Sequence, residues 1–152
     1  MRNIKFRGKP IEYPYRVIIN NEPIMPFIYG GYYKDECWGN KDGEKEYIIQ
    51  PNSTGLGYNE FIRVDPKTVG QYTGLKDING IGIYEGDIVL AWSEGICAKG
   101  EVVQRIDGLW IIKLSCDKNN RLWGICPNED GTSEVEVIGN IYENPELLNI
   151  NK

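Results

Sequence analysis

The sequence predicts a mainly β protein: an N-terminal β-rich unit over residues 1–66, then a small closed barrel over residues 67–152, with few short helical turns. Three observations carry that expectation. Apolar residues fall in short β-branched or aromatic runs, as strands require. Clusters of Gly, Asn and Asp separate the runs at close intervals. Prolines at 10, 14, 23, 26, 51 and 66 leave no room for a long helix in the first half. Whether the two parts share one compact domain stays open at this level.

In the first part, Ile4-Lys-Phe-Arg7 alternates as a half-buried strand should. Val17–Ile19, Phe27–Tyr29, Tyr47–Ile49 and Phe61–Val64 are the next strand candidates. Turn formers lie between them: Asn20-Asn21, Gly30-Gly31, Asp42-Gly43 and the stretch 51–55. Residues 34–46 are strongly polar and read as a loop.

The second part is cleaner. Asp77-Ile-Asn-Gly80 has turn chemistry and joins Tyr72–Lys76 to Ile81–Tyr84 in a hairpin. Gly86-Asp87 launches Ile88–Trp92, apolar on both sides and so buried. Glu101–Ile106 follows, Asp107-Gly108 makes a tight turn, and Leu109–Leu114 returns. A polar loop covers roughly 115–133, and Val135–Tyr142 is the last strand. Asn144-Pro-Glu-Leu-Leu148 reads as one helical turn, with Asn as N-cap and Pro at the first helical position. Its two leucines are expected to pack on the β core. Short strands joined by tight turns suit an SH3-like barrel, since closure removes exposed strand edges. An OB-like barrel is the alternative, weakened because no candidate exists for its internal helix.

Thr68-Val-Gly-Gln-Tyr-Thr-Gly-Leu-Lys-Asp77, Ile83-Tyr-Glu-Gly-Asp-Ile-Val89 and Ile138-Gly-Asn-Ile-Tyr-Glu-Asn-Pro-Glu-Leu-Leu148 closely resemble the YopX-like proteins of phages and prophages. The opening Ile4-Lys-Phe-Arg7 is similar to that family's beginning. The matches bracket the chain in the family's order, while residues 11–60 match only weakly. The resemblance implies a small phage-encoded accessory protein and a fold that includes an SH3-type barrel. It transfers no catalytic residue, because its signature is glycine, turn and core chemistry.

Composition narrows the function further. At 152 residues the chain is long enough for one good core or two small β units. No apolar run approaches the ~20 residues of a membrane helix, and no hydrophobic block follows the basic start as a secretory signal requires. A cytoplasmic protein without a membrane partner is the expectation. Cys37, Cys97, Cys116 and Cys126 form no C-x-x-C pair, and the chain has no histidine. Reduced, partly buried thiols are therefore expected in preference to a zinc site. Net charge is −5, unevenly placed: residues 1–20 carry five bases against Glu12 alone, and 122–151 carry six acids and no base.

Enzymatic chemistry is poorly supplied. Without histidine, the commonest general base and the usual activator of a cysteine are missing. Glu85 and Asp87 are the best carboxylate pair, able to share a divalent metal with Asp65 or Asp77 if they converge. The plainer reading makes Asp87 a turn cap and Glu85 a solvated side chain. Gly80-Ile-Gly82 with Gly86 resembles a phosphate loop only superficially, because no helix pattern follows it; no cofactor is expected. Arg2, Lys5, Arg7 and Lys9, with Tyr32 and Tyr33 of the Tyr29–Tyr33 cluster, are the candidate partner-binding residues. They would serve a nucleic-acid interface, although the acidic balance argues against one. A homo-oligomer, or a module that engages a phage or host protein, is the favoured expectation.

Overall fold

A computed structural model of the chain describes residues 4–12, 17–19, 22–24, 27–35, 44–51, 59–93, 95–115 and 122–148. The chain divides into units spanning Asn3–Gln71 and Tyr72–Lys152. Both are antiparallel β structures, and the helical content of the described residues is two short 3-10 turns.

In the first unit the strands are β1 (Phe6–Gly8), β2 (Val17–Ile19), β3 (Glu22–Ile24), β4 (Ile28–Asp35), β5 (Lys45–Pro51) and β6 (Asn59–Arg63). The sheet runs β6-β5-β4-β1, and β1 then pairs with the start of β7 (Gly70–Lys76) through Phe6↔Gln71 and Arg7↔Gly70. β2 and β3 pair with each other. The registers Tyr32↔Ile48 and Ile48↔Ile62 put even-numbered residues of β4, β5 and β6 on one face. That face carries the core: Ile28, Ile48, Ile62 and Val64, with Phe6 and Val69 packed against it. Each such buried side chain contributes about 1.5–3 kcal/mol relative to exposure. Asp65 accepts from the Lys67 amide at 3.0 Å and so caps the 3-10 turn Pro66–Thr68. The Lys9 amide donates to the Thr68 hydroxyl at 2.9 Å, tying the end of the first strand to this turn.

The expected strands are present, with extended limits. β4 continues to Asp35 and β5 starts at Lys45, so both ends of the polar 34–46 stretch are strand. Its middle, 36–43, lies outside the described residues. β3 is an addition, which Pro23 and the turn formers around it concealed.

In the second unit, the rest of β7 pairs with β8 (Gly82–Tyr84). β9 (Asp87–Ser93), β10 (Ile96–Gln104), β11 (Trp110–Leu114), β12 (Leu122–Gly124) and β13 (Val135–Asn140) make a sheet in the order β12-β11-β10-β9-β13. β9 is buried on both faces, with Ile88, Val89 and Ala91 all nearly inaccessible. The core gathers Ile83, Val89, Val102, Trp110, Ile112, Ile125 and Val135. The expected closure of the barrel is not found: among the described residues no ladder joins β12 to β13. One isolated bridge, Pro127↔Ser133, stands between them instead, and single links tie β7 and the turn after it to the chain entering β13. Lys76 bridges Thr132, and the Ser133 and Ile78 amides donate to the carbonyls of Lys76 and Val135.

Turn residues explain the local shape. Asp77 is fully buried and its carboxylate takes three amides: Asn79 and Ile81 on Oδ1, both at 2.8 Å, and Val137 on Oδ2 at 3.1 Å. Gly86 has φ +79, where a side chain is strained, and its amide donates to the Val102 carbonyl at 2.9 Å. In the turn before β11, Arg105 pairs with Asp107 and holds its carboxyl down to about 2. The C-terminal turn is 3-10, Pro145–Leu148, with both leucines half-buried. It sits over Gly139, where a Cβ would lie 2.7 Å from Asn144 Oδ1 and 2.9 Å from Leu147 Cδ1.

Candidate functional site

The residues expected to act together are dispersed by strand geometry. Arg2 lies outside the described residues. Lys5 is exposed, Lys9 is half-buried, and Arg7 is buried at 5% exposure. The Arg7 guanidinium lies 4.6 Å from the centre of the Phe27 ring, and the Lys9 ammonium lies 5.3 Å from it. Both are cation–π distances. Arg7 thus spends its charge inside the unit, on an aromatic face, where a phosphate does not reach it.

Glu85 and Asp87 also part company. Asp87 is buried, and its Oδ2 accepts from the Tyr84 amide at 2.7 Å across the turn that leads into β9. Glu85 is half-buried in that turn. Among the described residues, no three Asp, Glu or Cys side chains gather closely enough to hold a metal ion. The thiols differ from the expected partial burial: Cys97, near the start of β10, and Cys126, just after β12, are free and exposed. Cys37 and Cys116 fall outside the described residues.

Tyr32 and Tyr33 face opposite sides of the sheet, as consecutive strand residues must. Tyr32 turns to the core face and packs on Phe6 with ring centres 5.1 Å apart. Burial first, then the charge and hydrogen bond of Glu46, raise its phenol above the ordinary tyrosine value. Tyr33 turns outward and builds a different group. Its ring lies 6.1 Å from Tyr47 and 5.8 Å, edge-on, from Phe61, and Tyr47 and Phe61 stand 6.4 Å apart. Tyr33↔Tyr47 is a direct cross-strand pair, while Phe61 sits diagonally on β6 opposite Ile49.

This outer face is the candidate site. Tyr33 is 45% exposed, Phe61 54%, and Tyr29, four residues back along β4, 48%. At its margin Arg63 pairs with Glu12 at 3.6 Å. Such a face offers flat, rigid apolar area with phenolic hydroxyls, and that is binding chemistry rather than bond-making chemistry. Tyr29, Tyr47 and Phe61 were not among the sequence candidates. The signal was present as odd-numbered aromatics in three strands, yet it becomes one face only once the register is known.

Comparison with known proteins adds three findings. Residues 29–149 match the family described as YopX protein. A crystal structure of protein EF1440 from Enterococcus faecalis is similar over 98% of this chain and 100% of that chain, at 23% identity and a TM-score of 0.42. A search of the curated proteins gives no match.

Proposed function

The chain belongs to the YopX family, and we propose that it is a non-enzymatic assembly module whose outer aromatic face packs on a second copy of itself. The observation that carries this is the Tyr33–Tyr47–Phe61 cluster, three rings in mutual contact on an exposed sheet face. Burying them against a partner removes apolar area from water at roughly 25 cal/mol per Å². A second copy suits the face because its centre is uncharged and its margin balances acid against base, Glu12 with Arg63 and Asp35 opposite Lys45. Two such faces related by a two-fold axis present each acid to a base.

The non-enzymatic character rests on a sequence without histidine. On this reading the second unit is related to SH3-like barrels, supported by five antiparallel strands with tight turns and a terminal 3-10 turn, although no ladder among the described residues closes β12 on β13. The resemblance to phage and prophage proteins supports an accessory role of that kind, exercised in the bacterial cytoplasm, and a phage or host protein is the alternative occupant of the face. No helix among the described residues is long and apolar enough to cross a membrane. Hydrogen–deuterium exchange at low and high protein concentration tests the assembly reading. Protection of β4, β5 and β6 should rise with concentration; a rise confined to other strands contradicts it.

A nucleic-acid role is the second reading, favoured by exposed Lys5 in the same unit as the exposed aromatics. It requires binding that falls steeply with salt, and the absence of a mobility shift at low salt removes it.

A further inference from the structure

The second unit contains a cavity of about 490 Å³. Its described lining includes Trp92, Ile112, Trp123, Asn128, Glu134 and Val135. The strands explain the arrangement. Ala91↔Val135 pairs β9 with β13, and Ile112↔Trp123 pairs β11 with β12. Core residues Ile112 and Val135 therefore form an apolar floor. Trp92, near the end of β9, is 42% exposed, and Trp123 is half-buried. Exposed Cys126 also lines the cavity.

Three properties fix the ligand chemistry. Two indoles line the cavity, and among aromatic rings the π face of tryptophan attracts cations most strongly. Glu134 is the one charged group among the described lining residues, and it is exposed. Residues 72–152 hold 13 acids against 7 bases, so the surrounding field is negative. These features repel a phosphate backbone and favour a planar cation. The volume lies in the range of small-ligand sites, which leaves room for a long side chain and part of the segment that carries it.

We propose that this cavity receives an arginine side chain presented by an extended segment of a partner protein. The guanidinium stacks on an indole and hydrogen-bonds to the Glu134 carboxylate, with the apolar floor taking the side-chain stem. Asn128 is placed to accept from the remaining N–H groups or to bond the segment backbone.

The test titrates the ¹⁵N-labelled full chain with a short capped peptide carrying one arginine, and with the same peptide carrying citrulline, its uncharged isostere. The arginine peptide should move the indole N–H resonances of Trp92 and Trp123 and bind about tenfold more tightly than the citrulline peptide. Glu134→Gln should weaken the arginine peptide by about threefold to tenfold and leave the citrulline peptide unchanged. Trp92→Ala should weaken it similarly, with the backbone spectrum reporting that the fold is kept. The bound peptide should also slow alkylation of Cys126 and leave Cys97 unprotected. Equal affinity for both peptides overturns the proposal. So do resonance shifts confined to residues outside the cavity, or affinity indifferent to Glu134→Gln.

Discussion

Asp77 illustrates how a buried carboxylate can serve structure alone. Its two oxygens take the Asn79, Ile81 and Val137 amides, which joins the β7–β8 turn to β13. Asp77→Ala leaves those buried donors unpaired and should cost about 3 kcal/mol in urea unfolding. Asp77→Asn keeps one acceptor oxygen and should cost less. Glu101 behaves in the opposite sense. Burial raises its carboxyl above the usual value, opposed by Lys113 across the strand pair and reinforced by Glu85. A raised folded-state value means the favourable contribution is complete below the unfolded value and is lost as pH rises through the folded one. At neutral pH the charged group therefore opposes folding. Glu101→Gln should stabilise the protein at pH 7 by less than about 1 kcal/mol, since the site is partly solvated. The gain should vanish below about pH 4, and urea midpoints compared at the two pH values check it.

At the scale of elements, β13 and the C-terminal turn depend on one small residue. The turn sits where a Cβ on Gly139 would meet Asn144 and Leu147. Gly139→Ala should displace it, costing about 1–3 kcal/mol and speeding amide exchange at Asn144 and Glu146 to Leu148; unchanged exchange would contradict this packing. Sequence reading succeeds where local chemistry decides. Asp107-Gly108 turns as expected, with Gly108 at φ +86, and the continuous apolar run 88–92 is a strand, buried at Ile88, Val89 and Ala91 but exposed at Trp92. It fails where partners decide. β12 is only Leu122–Gly124, too short to show periodicity, and exists by pairing with β11. In β7 the stretch Tyr72–Lys76 spans four residue steps against two in Tyr84–Gly82, an irregularity set by the hairpin's fit. Closure of the barrel is likewise a matter of long-range pairing, which turn spacing does not encode. The candidate site follows the same rule. Tyr33 was legible as a surface aromatic, whereas its company of Tyr47 and Phe61 depends on a register across three strands. Arg7 was legible as a charge on a strand, and Phe27 beside it was not.

For the whole molecule, the central claim is that the outer aromatic face joins two copies. The charge distribution is compatible with it: residues 122–151 carry six acids and no base, whereas the first twenty residues have a balance of +4. Association driven by the aromatic centre should persist at high salt, because screening weakens only exposed ion pairs such as Arg63–Glu12. Tyr33 and Phe61 are both about half exposed, so replacing them with serine should spare the fold. The most direct measurement is the mass in solution by light scattering, over a range of concentrations, for the natural chain and the Tyr33→Ser/Phe61→Ser variant. The account predicts a mass approaching twice 17.3 kDa for the natural chain and 17.3 kDa for the variant. A natural chain that stays at 17.3 kDa throughout, or a variant that associates equally well, contradicts it.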